Sequence, residues 1–232
     1  MPVLIVVCLI SLLVIALLWQ RQLALRRDAY IRGFTLPMGL FESLRKRHPE
    51  LTLKECQLVA HGLRQFFLAH LKSGRRFVSM PSQVTDDLWH EFILHTRAYQ
   101  VFCEKAFGRF FHHTPAAVLG DSKQSNAGLR RCWWQACRDE NIDPRSPTRL
   151  PLLFALDAKL AIAGGFRYAA NCDTMRRLGT PSGTVVHCGS DFSSSSVDGG
   201  TDGLGDSSSS DSGGDGGGDS GGGGCGGGGG SD

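Results

Sequence analysis

Most of the side chains that could bind a ligand lie in one short segment, residues 86–113. It reads DDLWHEFILHTRAYQVFCEKAFGRFFHH, with four histidines and one cysteine among several aromatic residues. Imidazole together with thiolate favours zinc over magnesium or calcium. A histidine among aromatic side chains also serves as a hydrogen-bonded packing residue. The segment therefore has three interpretations: a structural hydrogen-bond network, a metal or small-ligand site, and a catalytic site.

Helical spacing limits which of these side chains can meet. On one straight helix His90 and Cys103 would lie roughly 20 Å apart along the axis, and His95 and Cys103 roughly 12 Å apart. Zinc ligands lie only about 2.0–2.3 Å from the ion, so neither pair can share a metal. Asp86 and His90 are four residues apart on one face, which suits a carboxylate that orients an imidazole.

A second stripe follows at the same interval. His95, Tyr99 and Cys103 are spaced by fours. Cys103 can meet one of the two histidines at 112–113 if Gly108 ends the helix and turns the chain back. Adjacent histidines point in different directions, so at most one of these two should lie near Cys103.

These considerations give two sets of candidate residues. The expected binding or structural polar network consists of Asp86, Trp89, His90, His95 and Tyr99. If zinc is bound, Cys103 and His113 are the expected ligands, and Asp86 orients His90. No catalytic residue is assigned, because the HExxH spacing fails at Leu94 and no GxSxG, P-loop or dinucleotide fingerprint occurs. The sequence thus leans away from an enzyme.

The same segment resembles the signature of the glycine-rich domain-containing protein family of plants and bacteria. The positions that carry the resemblance are Asp86, Trp89, His90, Leu94, His95, Tyr99, Cys103, Gly108 and His113. It covers residues 34–170, and the Gly-rich tail also matches. Phe92 stands where plant members often have a second histidine, and Thr96 where they have proline. The resemblance implies a fold but no established reaction.

The N-terminal segment predicts a membrane anchor. Residues 2–19 carry one polar side chain, Ser11, and are long enough to cross a bilayer as a helix. A cleaved signal is the alternative, but no Lys or Arg precedes the segment and no small-x-small pattern follows it. Four arginines come next, which predicts that the C-terminal domain faces the cytoplasm. They are Arg21, Arg26, Arg27 and Arg32.

Cysteine usage and charge point to the same surroundings. The eight cysteines form no CxxC pair, and free thiols suit a reducing compartment. Eight Asp and no basic residue follow residue 188, so 25 basic and 14 acidic residues leave residues 1–188 with a net charge of +11. A basic body beside a membrane can contact anionic lipid or the acidic tail. No nucleic-acid-binding signature is present, so nucleic acid is not an expected partner.

The remaining patterns are helical, which predicts a mainly α fold. We expect a transmembrane anchor at 1–20, a membrane-proximal linker at 21–33, a compact helical domain at 34–188 and a disordered Gly/Ser/Asp-rich tail at 189–232. Thr52 and Glu55 form a capping box at the clearest helix. Ser82 or Thr85 caps a helix that runs toward Gly108, and a short strand lies near TVVHC.

Together these features predict a single-pass membrane protein that acts as a binding or assembly module. The bilayer is one expected partner, and the acidic tail offers a contact or a flexible tether to a protein partner. The alternative is a zinc-binding protein or zinc-dependent enzyme that uses the histidines and cysteine of residues 86–113.

Overall fold

The computed structural model describes residues 2–114, 123–170 and 187–192. The described part is mainly helical, as the sequence predicts. Its helices are α1 (Pro2–Gly33), α2 (Leu40–Arg47), α3 (Leu53–Lys72), α4 (Gln83–Leu94), α5 (Thr96–Phe107), α6 (Lys123–Asp139) and α7 (Leu152–Lys159). Strands β1 (Tyr168–Ala169) and β2 (His187–Cys188) and a 3-10 helix (Gly189–Phe192) complete it. The sequence predicts a disordered tail from residue 189, but Gly189–Phe192 form the 3-10 helix and Phe192 is buried, so the domain extends to residue 192. The rest of the predicted tail, from residue 193 onward, lies outside the described residues.

Helix α1 combines the apolar segment with part of the domain. It is the one described helix that is long and apolar enough to cross a membrane, a property that a signal sequence near the N-terminus shares. Its first part is exposed, whereas Ile31 near its end is fully buried in the core. Residues 21–33, predicted as a linker, therefore continue the helix and pack against the domain.

Helix α3 lies at the centre of the domain and packs against α1, α4, α6 and α7. The predicted capping box is confirmed, because Thr52 accepts a hydrogen bond from the Glu55 N–H and Glu55 accepts one from the Thr52 N–H. Gly62 faces α7, where a Cβ atom would meet Leu156. The glycine thus allows the two helices to approach closely.

The prediction of one helix up to Gly108 is wrong, because the chain breaks at His95. Its ψ of 59° lies outside the helical region, and α5 starts in a new direction. The break brings Phe92 and Phe102 to a ring-centroid distance of 5.4 Å. In a straight helix these residues would be about 15 Å apart along the axis. Burial of both rings in one core therefore favours the break.

The N-terminus of α4 is capped twice. Ser82 accepts a hydrogen bond from the Thr85 N–H, as the sequence predicts for Ser82. Asp157 of α7, only 2% exposed, accepts further hydrogen bonds from the Ser82 hydroxyl and from the N–H groups of Gln83 and Val84. A carboxylate at a helix N-terminus is favourable because it meets unpaired N–H groups and the positive end of the dipole. Asp157 thereby joins α7 to α4.

The two short strands form a parallel pair in which Tyr168 lies opposite His187. This agrees with the predicted strand near TVVHC. Five described cysteines are free, namely Cys8, Cys56, Cys103, Cys132 and Cys137. Cys188 is disulfide-bonded, so the prediction of free thiols is wrong at this position.

Candidate metal and small-ligand site

Three side chains that can ligate a metal meet beside the N-terminal half of α4. Asp86 and His90 lie one turn apart on α4, and His113 comes from the segment that follows α5. Gly108, with φ of 72°, ends α5 in the left-handed conformation and allows the chain to turn back, as predicted. The turn brings His113 to α4, 27 residues after Asp86.

The carboxylate of Asp86 stands between the two imidazoles. His113 Nε2 lies 3.0 Å from Asp86 Oδ1, and His90 Nδ1 lies 3.5 Å from Asp86 Oδ2. The ring centroids of the two histidines are 4.2 Å apart. His113 is held from its other side by the edge of Trp89, at a centroid distance of 4.6 Å. The arrangement is a histidine–carboxylate–histidine cluster at the surface of the domain.

This cluster fits the requirements of a divalent transition metal. The three ligand atoms lie within 4.8 Å of one another. Ligands of tetrahedral zinc at about 2.0–2.2 Å from the ion are separated by about 3.4 Å, so small side-chain movements suffice. Imidazole and carboxylate ligands suit zinc and iron. Three protein ligands leave coordination positions for water or a small molecule.

A cavity of about 120 Å³ adjoins the cluster. Asp86, Trp89 and His113 belong to its wall. Aromatic and aliphatic side chains, including Phe77, Met80, Phe111, Phe166 and Tyr168, form one part of the rest, and polar side chains form the other, namely Ser79, Ser82, Gln83, His112 and Thr114. Small-molecule sites combine apolar walls with polar groups that fix the orientation of the ligand.

Behind the cluster, Trp89 and Tyr99, two members of the expected polar network, form polar contacts within the core. The Trp89 indole N–H donates to the Tyr99 hydroxyl at 3.2 Å, and that hydroxyl donates to the carbonyl oxygen of Phe111. Both side chains are almost fully buried. Burial, more than the nearby Cys103, raises the pKa of Tyr99 far above its ordinary value. Tyr99 therefore serves as a neutral connection between α4, α5 and the segment that carries His113.

The other two predicted residues lie apart from the cluster. His95 is exposed at the break between α4 and α5, and its backbone carbonyl accepts from the Tyr99 N–H. Cys103 is fully buried. Burial raises the pKa of the Cys103 thiol. Neither residue belongs to the group of three ligand atoms.

Two acidic side chains near this site have partners that the sequence does not predict. Asp87 accepts hydrogen bonds from Arg47 at 2.5 Å and from His48 at 2.8 Å, which joins α4 to the end of α2. Glu91 turns toward Arg47, at 3.6 Å, and away from the cluster. Glu91 is thus not placed as a base for chemistry at Asp86 and His90. Partners so distant in sequence leave no local spacing signal.

Comparison with known families corrects the predicted resemblance. Residues 26–192 match the family described as UCP032817-like, an uncharacterised family, so assignment to the glycine-rich domain-containing proteins is wrong. That assignment rested on nine positions between Asp86 and His113 and on a Gly-rich tail, most of which lies outside the matched region. Neither the curated proteins nor the solved structures give a match. The match spans well over half of the chain, from the basic end of α1 to the 3-10 helix, and the chain therefore belongs to the UCP032817-like family.

Proposed function

We propose that this protein is a membrane-anchored binding module that holds a divalent transition-metal ion through Asp86, His90 and His113. The observation that supports this most strongly is the convergence of these three ligand atoms within 4.8 Å at the wall of a cavity. A bound ion would supply a Lewis-acidic position toward that cavity. A small polar molecule in the cavity would then be the ligand of the module.

The surroundings support binding more than catalysis. The side chains of His113 and Asp86 are 13% and 23% exposed, whereas that of His90 is 43% exposed, so the ion would be shielded from water on the His113 side only. Trp89 fixes the His113 ring, and ordered neighbours of this kind hold metal ligands in place. The nearest acid on the same helix that could act as a base, Glu91, is directed to Arg47. We therefore propose binding, with no reaction assigned.

The test is the metal content of the full-length protein, purified in detergent without chelator and measured by mass spectrometry for all first-row transition metals. We expect close to one ion per chain, with zinc as the first candidate. His90→Gln, His113→Gln and Asp86→Asn should each weaken zinc binding at least tenfold, because each removes one of three ligands.

Two control variants make this test specific. His95→Gln removes an exposed histidine of the same segment that lies apart from the cluster, and should leave metal content unchanged. Cys103→Ala should also retain the ion, whereas the Cys103–His113 pair expected from the sequence requires its loss. Zinc binding by the wild-type chain that is no tighter than in the triple variant would overturn the metal proposal.

We also propose that the domain faces the cytoplasm, on the basis of the four arginines after the apolar segment. The disulfide at Cys188 favours the opposite orientation, with the domain outside the cytoplasm, since disulfides persist in oxidising compartments. Fusion of green fluorescent protein or alkaline phosphatase after residue 232 measures the orientation. Fluorescence without phosphatase activity is the expected result, and active phosphatase would place the domain outside.

The acidic tail supports a further part of this proposal, contact with a protein partner. Its eight Asp and nineteen Gly residues give it charge and reach. Pull-down with the full chain and with a chain that lacks residues 193–232 would test it. Loss of the same captured protein upon deletion is expected, and identical capture by both chains would contradict a role of the tail.

A further inference from the structure

The direction of α5 relative to α1 defines one end of the domain. Tyr30 of α1 packs against Phe102 of α5 at a centroid distance of 5.9 Å. Earlier on α1, the Arg27 guanidinium lies where a Cβ atom of Gly108 would be, just after the end of α5. Helix α5 therefore runs antiparallel to α1, and its C-terminal end points toward the apolar segment.

Helix α3 runs in the same direction as α5, antiparallel to α1. Lys72, the last residue of α3, lies 3.3 Å from Asp28 of α1. Arg64, two turns earlier on α3, donates to the carbonyl oxygen of Phe34 at 3.0 Å, beyond the end of α1. The C-terminal ends of α3 and α5 thus both face the side of the domain on which the apolar segment leaves it.

Arginines surround these two helix ends. Arg75 donates to the carbonyl oxygen of Phe107 at 3.0 Å, and Arg109 donates to the carbonyl oxygen of Arg75. Arg75, Arg76 and Arg109 are exposed. We call these three residues, together with Arg27, the arginine rim.

The arginine rim carries positive charge without acidic partners. Within the described ranges, no ion pair includes any of its four residues. The closest carboxylates on α1 and α6, those of Asp28 and Asp139, are both engaged by Arg32 and Lys72. The positive charge of the rim is therefore available to bind an anionic group at this end of the domain.

With the apolar segment in a bilayer, as proposed above, the rim lies within a few ångströms of the lipid headgroup layer. From Trp19, the end of the apolar segment, to Arg27 the helix rises by about 12 Å. The headgroup layer extends about 5–8 Å beyond the hydrocarbon on each side. The remaining gap is less than the screening length of about 8 Å at physiological salt and less than the reach of an arginine side chain. Phe110, 43% exposed beside Arg109, adds an apolar contact suited to the interface.

We propose that the arginine rim binds the phosphate groups of anionic phospholipids in the bilayer that α1 crosses. The continuity of α1 into the domain brings the rim to the bilayer, and the charge of the rim is complementary to an anionic surface. Guanidinium groups pair with phosphate through two parallel hydrogen bonds. The contact is independent of the metal cluster and would fix the domain against the membrane.

The experiment compares hydrogen exchange of the full-length protein in nanodiscs of zwitterionic lipid with exchange in nanodiscs that contain 30% phosphatidylglycerol. We expect residues 73–78 and 107–112 to exchange about fivefold more slowly with the anionic lipid, the factor of one basic residue near such a surface. The effect should disappear in 0.5 M salt and in Arg75→Gln/Arg109→Gln. Exchange within α3 reports whether each variant is folded.

Matched variants keep the test decisive. Arg45 also donates to a backbone carbonyl, that of Leu51, but lies beside the start of α3, about 30 Å from its far end. Arg45→Gln/Lys46→Gln should therefore retain the lipid effect. If the first double variant unfolds, Arg76→Gln removes charge from the rim without a backbone contact and should reduce the effect.

The acidic tail is the competing occupant of the rim. If the tail occupies the rim, residues 73–78 and 107–112 would exchange slowly already in zwitterionic discs. Deletion of residues 193–232 would then make their exchange faster. This result, or equal exchange in both lipids for a folded wild-type chain, would overturn the proposal.

Discussion

At the scale of single residues, His70 shows how burial controls protonation. Its ring stacks on Phe111 at a centroid distance of 3.8 Å, and its Nδ1–H donates to the carbonyl oxygen of Arg76 at 3.0 Å. Burial lowers the pKa of His70 to about 4, with smaller contributions from Arg109 and Arg75 and with the Arg76 hydrogen bond opposing. The ring is therefore neutral at physiological pH.

This neutral histidine predicts a pH-dependent stability. The unfolded chain, with a pKa of 6.5 at this side chain, takes up a proton before the folded chain does. The contribution of the neutral His70 to the free energy of unfolding is therefore fully present above pH 6.5 and is lost as the pH falls toward 4. Between pH 7 and pH 5 the free energy of unfolding should fall by about 2 kcal/mol through this group.

Urea unfolding of the full chain in detergent at the two pH values measures this change. His70→Asn keeps a donor toward Arg76 but does not titrate, so its stability should fall less over this interval. His61→Asn, at an exposed position of α3, is the control and should follow the wild type. Equal losses in wild type and His70→Asn would contradict the assignment.

The residue scale also shows what local sequence could predict. Thr52, Ser82 and Gly108 are recognised because caps and helix stops depend on neighbours within a few positions. The contacts of Asp157 with the start of α4 and of His113 with Asp86 are not, since these pairs lie 73 or more and 27 residues apart. The lone acid in the apolar run LLFALDAKL is nevertheless a signal, because a buried carboxylate requires several donors.

At the scale of elements, the helices follow from apolar spacing, but the break between α4 and α5 does not. The break falls at His95 and Thr96, where no Gly or Pro marks a helix end in the sequence. The break depends on aromatic packing among Phe92, Phe102 and Phe34, which lie on different elements. Tertiary packing thus decides the end of α4 against local propensity.

Gly108 allows this element-level packing to be tested. Both Gly108 and Gly74 end a helix with φ near 70°, but only at Gly108 would a Cβ atom meet another side chain, that of Arg27. Gly74→Ala should destabilise by about 1 kcal/mol from the left-handed backbone alone. Gly108→Ala should cost about 1 kcal/mol more, because Arg27 must move.

Urea unfolding of both variants gives these values, and a double-variant cycle identifies the cause. In an Arg27→Ala background the extra cost at Gly108 should vanish, while the cost at Gly74 should stay the same. An equal cost at Gly108 in both backgrounds would show that α1 does not press on the end of α5.

At the scale of the whole molecule, α1 is fastened to the domain by charged groups as well as by Ile31. Asp139 of α6, with a side chain 9% exposed, pairs with Arg32 of α1 and with Lys72 of α3, the latter at 3.0 Å. One carboxylate thus joins three helices. The family match begins at residue 26, so the fastened part of α1 belongs to the domain.

Asp139→Asn should loosen this junction. Loss of two charged hydrogen bonds, about 2 kcal/mol, predicts roughly 30-fold faster hydrogen exchange for the amides of residues 28–33 in the full chain. Asp143→Asn is the control, because Asp143 is exposed and accepts only from the nearby Arg145 N–H among the described contacts. Unchanged exchange in Asp139→Asn would show that apolar packing alone holds α1.

The continuity of α1 also couples the rotation and height of the domain to the number of residues between Trp19 and Arg27. One residue inserted there would turn the domain by about 100° about the axis of α1 relative to the apolar segment, and would move it about 1.5 Å farther from that segment. A flexible linker would absorb such an insertion. In this protein the chain length of a helical junction determines which side chains of the domain lie on the side of the apolar segment.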